Sequence, residues 1–144
     1  MKKTALALLA LTLALTCCSD HSYDPVTEAE FDDKEMKAAI DKARSSVGEF
    51  VERLQNPGLT DESFSVKKMI SDGEEVEHLW LTDVSYSDGK FIGIINEEPQ
   101  SVRNVQFGQE ASVAETEILD WMYLDDGKLV GNFTLRVLLE RMPN

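Results

Sequence analysis

Cysteine is nearly absent. The chain holds two, Cys17 and Cys18, side by side near its N-terminus, and none beyond. Adjacent cysteines without a third partner build no useful intrachain bridge, so a disulfide scaffold is excluded. Histidine is as scarce, with only His21 and His78. Zinc needs several convergent nitrogen or sulfur ligands, and this inventory does not supply them. Basic residues are outnumbered, 14 Lys and Arg against 27 Asp and Glu, for a net charge of −13. That balance excludes nucleic acid as a partner, because phosphates are neutralised by Lys and Arg. Catalytic motifs are missing too: there is no Gly-x-Ser-x-Gly elbow and no phosphate-cradling glycine loop. No cofactor and no metal is expected.

What the sequence does contain begins with an address. Met1-Lys2-Lys3 is a basic start, and Thr4 to Leu15 is an apolar run of 12 residues. A membrane-spanning helix takes about 20, so the run fits the hydrophobic region of a secretory signal instead. Leu15-Thr16-Cys17-Cys18 then resembles the lipobox of bacterial lipoproteins, with Cys18 as the lipidated residue; Cys17 in that role would put Ala14 where Leu is preferred. Residues 1–17 are expected to be the signal and 18–26 a short polar tether holding Pro25. Ser19 after the lipid site points to the outer membrane rather than the inner. The expected setting is the bacterial cell envelope, facing the periplasm.

Residues 27–144 read as one domain, with 42% hydrophobic residues in the chain to build its core. Thr27-x-x-Glu30 and Asp32-x-x-Glu35 have capping-box spacing, so a helix starts near one of them. Ile40, Ala43, Val47, Phe50, Val51 and Leu54 follow at helical spacing, and Asn56-Pro57-Gly58 ends the run. From Phe64 the period becomes two. Three Asp-Gly pairs, at residues 72–73, 88–89 and 126–127, separate alternating apolar segments, which predicts antiparallel hairpins. Phe107-Gly108-Gln109 predicts another turn before a short strand, and Glu115 to Asp120 a helical turn. Phe133 to Met142 fits a last strand or a short helix capped by Asn132; Leu135, Leu138, Leu139 and Met142 favour the helix. The expected class is α+β: an N-terminal amphipathic helix packed on a curved antiparallel β meander, with a short C-terminal helix.

Several stretches then carry a resemblance. His78-Leu-Trp-Leu-Thr-Asp-Val-Ser-Tyr, Asp88-Gly-Lys-Phe-Ile-Gly, Asn96-Glu-Glu-Pro and Glu117-Ile-Leu-Asp-Trp-Met-Tyr, with Gly131-Asn-Phe-Thr-Leu-Arg, are similar to the YegJ-like bacterial domain. The likeness runs from about Asp33 to Arg141. It implies a small, often exported α+β domain of unknown function and brings no catalytic residues with it.

The side chains that could form a site are therefore weighed on their own chemistry. Strict alternation puts His78 on one strand face with Val76, Trp80, Thr82 and Val84. A half-buried histidine bonded to backbone is the commoner outcome, and an acid–base role the rarer. Asp120 beside Trp121 is the most suggestive carboxylate, although Asp is also a frequent turn cap. Trp80, Trp121 and Tyr123 are expected in the core, or else along a ligand groove with His78, Asp83 and Asp120 if the sheet curls. Asp83-x-Ser85-x-Ser87-Asp88 lacks the terminal Glu of a calcium loop and reads as hairpin. The expectation is a lipid-anchored, non-enzymatic binding module for a basic envelope protein, inhibitor-like or immunity-like, steered by its acidic charge. The other class is a small hydrolase using His78 with Asp83 or Asp120. Oligomeric state is not legible.

Overall fold

A computed structural model describes residues 33–142. The signal, the lipid site at Cys18, the tether and the Thr27 capping box lie outside the described residues. Helix α1 spans Lys34–Ser45, and α2 spans Val47–Gln55. Asp33 caps α1, its carboxylate accepting the Met36 N–H at 2.9 Å. The cap is one residue past the Asp32 expected from the spacing. The periodic run also breaks in two. Buried Ser46 donates its hydroxyl to the Lys42 carbonyl at 2.7 Å, a local bond that competes with the helical ladder. Along this run Met36, Ala39, Ile40, Ala43 and Phe50 are buried, with Val47, Val51 and Leu54 packed against the core.

Six strands follow: β1 (Asp61–Asp72), β2 (Glu75–Ser87), β3 (Lys90–Ile95), β4 (Glu110–Ala114), β5 (Asp120–Asp125) and β6 (Lys128–Gly131), then helix α3 (Phe133–Arg141). All pairings are antiparallel. The sheet order is β4-β3-β2-β1-β5-β6. A four-strand meander thus runs outward from β1, and the chain returns to add the β5–β6 hairpin on the other side. The class is α+β with a β meander.

Two hairpins use Asp-Gly as expected: Asp88-Gly89 and Asp126-Gly127 both sit at positive φ between paired strand ends. The first differs. Asp72 pairs with Glu75, so Gly73-Glu74 makes the turn and Asp72 belongs to the strand. Glu115 to Glu117 is a plain turn rather than a helical one.

The sheet bends strongly. Lys68 on β1 donates to the Ser112 carbonyl of β4 at 2.6 Å, although two strands separate them. In a flat sheet that gap is about 14 Å, beyond a lysine's reach. The inner face of the bend carries the core, in which Phe50 of α2 meets Val66, Leu79, Leu81, Phe91 and Trp121. Phe50 stacks on Trp121 with centroids 5.1 Å apart, and Trp121 donates its indole N–H to the Ala43 carbonyl at 3.0 Å. A smaller cluster of Met36, Ile40 and Leu119, with Val137 and Leu138, seats α3 against α1.

Candidate functional site

Strand register determines what the other face of the sheet presents. Opposed residues of an antiparallel pair share a face. Lys67 lies opposite Trp80, Met69 opposite His78, Thr82 opposite Ile94, and Ser85 opposite Ile92. Their sequence neighbours Val66, Leu79, Leu81, Phe91 and Ile95 point the other way, into the core. Between Thr82 and Ser85 the register slips by one residue, with Asp83 at φ 51°. This bulge breaks the expected alternation: Val84 turns into the core instead of joining His78. Gly93 makes room for it. A Cβ there would fall 2.7 Å from the Thr82 carbonyl and 2.8 Å from Val84.

The start of helix α3 lies against one end of this outer face, beside Lys67 and Asp120. Lys67, buried, lies over the Trp80 ring with its ammonium 4.8 Å from the centroid, and donates to the Thr134 hydroxyl at 3.0 Å. Thr134 in turn donates to Asp120 at 2.6 Å. Asp120 also accepts backbone N–H bonds from Thr134 (2.8 Å), Trp121 (2.9 Å) and Phe133 (3.1 Å). The Phe133 and Thr134 amides are donors that the first turn of α3 leaves unpaired, so Asp120 caps a helix that starts 13 residues later. Burial pushes the Lys67 amine below its ordinary value, against the pull of Asp120 and Glu97.

Over β2 and β3, none of the described helices packs on this face. Met69 and Ile92 are exposed, at 49% and 38%, and His78, Trp80, Thr82 and Ile94 are partly so. Burial, helped by the Lys67 charge, pushes His78 down to about 4 against Glu77, which keeps it neutral at pH 7. Glu97, half-buried beside Lys67 and the Trp80 backbone, is raised by burial despite Lys67. The long β3–β4 connection is strapped to the β1–β2 hairpin next to it. Glu77 accepts from the amides of Gln100, Ser101 and Val102, Asp72 accepts from the Arg103 amide at 2.8 Å, and Asn104 donates to the Ser71 carbonyl.

The six expected site residues are therefore dispersed. His78, Trp80 and Asp120 share the outer face, with Asp120 under α3. Trp121 and Tyr123 lie on the inner face, Tyr123 stacked on Phe64 with centroids 5.0 Å apart. Asp83 is exposed at the bulge. Asp120 is engaged by four hydrogen bonds, two on each carboxylate oxygen, in its role as a helix cap. Among the described residues, no group of three or more His, Cys, Asp or Glu is placed to hold a metal ion. None of the described helices is long and apolar enough to cross a membrane. Sequence reasoning missed Lys67, Thr134 and Glu77. Lys67 carries no local mark, because Lys67-Lys68 reads as an ordinary solvated pair.

Residues 33–144 match the family model described as an uncharacterized protein conserved in bacteria (DUF2314). Among curated proteins, the chain is 36% identical over 141 residues to the uncharacterized protein YegJ of Escherichia coli K12, covering 98% of this chain and 91% of that one. It is also 39% identical over 72 residues to a putative ankyrin repeat protein of Neisseria meningitidis serogroup B, covering 49% of this chain and 28% of that protein. No solved structure matches.

Proposed function

The chain belongs to DUF2314, a family of uncharacterized proteins conserved in bacteria, and from that premise we propose that it is a lipid-anchored envelope module that binds a basic protein. The observation that carries the reading is the disposition of charge. Most carboxylates among the described residues are exposed. Several of the few bases are turned onto the chain itself. Arg44 donates to the Ile118 carbonyl, Arg53 pairs with Asp61, Arg141 pairs with Asp33 and Glu35, and Lys67 is buried. The acid left outside is thus poorly balanced at short range. Such a surface speeds encounter with a basic partner and repels acidic ones. The signal-like start and the Leu15-Thr16-Cys17-Cys18 motif support acylation at Cys18 and a place at the outer membrane, facing the periplasm.

One experiment tests both parts. The chain and its Cys18→Ala variant are labelled with palmitate, purified from their own envelope at low and high salt, and the co-purifying proteins identified. Label on the native chain alone, with one basic protein bound stoichiometrically and released by salt, is the expected result. Label on neither chain removes the anchor, label on both moves it from Cys18 to Cys17, and an absence of bound protein at low salt removes the partner.

A further inference from the structure

The outer sheet face over β2 and β3 has properties that the charge argument does not use. Met69, Trp80, Ile94 and Ile92 form a diagonal apolar strip across β1, β2 and β3, and no helix among the described residues covers it. Cross-strand neighbours supply its acidic margin. Glu110 lies directly opposite Ile94 on β4, and Glu97 follows the end of β3 beside Trp80. Glu97 is the informative member. Burial raises this carboxyl more than the neighbouring Lys67 lowers it, so a further cation would replace hydration it has lost.

Resting on the binding-module reading above, we infer that this strip is the docking surface, and that its occupant is an amphipathic basic segment of the partner protein. Apolar side chains of that segment cover Met69, Ile92, Ile94 and the free side of Trp80, while its Lys or Arg side chains meet Glu97 and Glu110. Charge complementarity selects the occupant: an acidic amphipathic segment would face two carboxylates across a desolvated contact. The buried Lys67 does not cancel this preference, because its charge is offset first by Asp120, opposite it in the register, and its ammonium is held by Thr134.

The test uses the full chain and two synthetic helical peptides of identical Leu pattern, one with Lys and one with Glu at the polar positions. Binding is followed by tryptophan emission at low and moderate salt, with Trp80→Phe assigning the signal. Variants Met69→Lys and Ile92→Lys alter exposed positions on the strip. Leu139→Lys alters an equally exposed leucine on α3 as the control, and circular dichroism checks each fold. The expected result is salt-sensitive binding of the Lys peptide alone, at least tenfold weaker in either strip variant and unchanged within twofold in the control. Equal weakening in all three, or in none, overturns the surface and leaves the basic-partner reading standing. Failure of the native chain to bind the Lys peptide at low salt overturns both. Equal binding of both peptides overturns the basic chemistry of the occupant. A concentration-dependent dimer disrupted by the strip variants assigns the face to a second copy and overturns the inference.

Discussion

Asp120 shows how much one side chain can organise. It closes the first turn of α3, orients Thr134, and sits opposite buried Lys67 in the register. Asp120→Ala strands the Phe133 and Thr134 amides and takes from Lys67 the stronger of its two acidic partners, Asp120 and Glu97. The expected cost is about 3 kcal/mol or more in urea unfolding, the range for breaking a buried charged network from one side. Combining it with Lys67→Met should recover part of that loss, because the buried charge disappears as well. A double variant no better than the single one would contradict the coupling. The sequence marks Asp120 through its place beside Trp121, and a capping role is one of the readings available there. The helix it caps is out of reach of local pattern, because Thr134 is 14 residues away and Lys67 is supplied by another strand.

At the level of elements, the β3–β4 strap depends on Glu77. Burial raises the Glu77 carboxyl, but the N–H bonds from Gln100, Ser101 and Val102 outweigh it and hold the group below its ordinary 4.5. A depressed folded pKa stabilises fully above the unfolded value and loses that stabilisation as pH falls through the folded one. The strap should therefore loosen only below about pH 4.5. Glu77→Gln should speed hydrogen exchange of the 100–102 amides roughly tenfold and make the acid limb of stability shallower. An unchanged exchange rate would show that buried Val102, rather than the carboxylate, holds the strap. Hairpin positions at this scale are legible, since Asp88-Gly89 and Asp126-Gly127 have the local chemistry that the turn demands. The Asp83 bulge is not, because it depends on the packing of Val84 against the core. Helix α3 shows the same division. Its apolar spacing predicts a helix, yet Leu135, Leu139 and Met142 are exposed, while Thr134 is buried and Val137 and Leu138 pack inward.

For the whole molecule, the dominant physical fact is a charge of −13 on a chain of 144 residues. Self-repulsion of that size opposes compaction and is screened within about 10 Å at 0.1 M salt. Raising sodium chloride from about 10 to 200 mM should therefore raise Tm by a few degrees. A fall in Tm over the same range would mean that the ion pairs of Arg53 and Arg141 outweigh the repulsion.

By itself, the sequence determined the α+β class, most of the strands, two of the three hairpin turns, the acidic character and the family resemblance. The resemblance rests on particular motifs, and the others on local periodicity, turn chemistry or composition. Tertiary structure alone decided that β5 returns to pair with β1, that the sheet bends until Lys68 reaches Ser112, and that the expected aromatic groove divides between two faces. Trp80 lies on the outer face and Trp121 on the inner because a strand's register, and hence the side each residue turns to, is set by which strand it pairs with and where a bulge shifts the count. Those choices are made between residues far apart in the chain, where no local pattern records them.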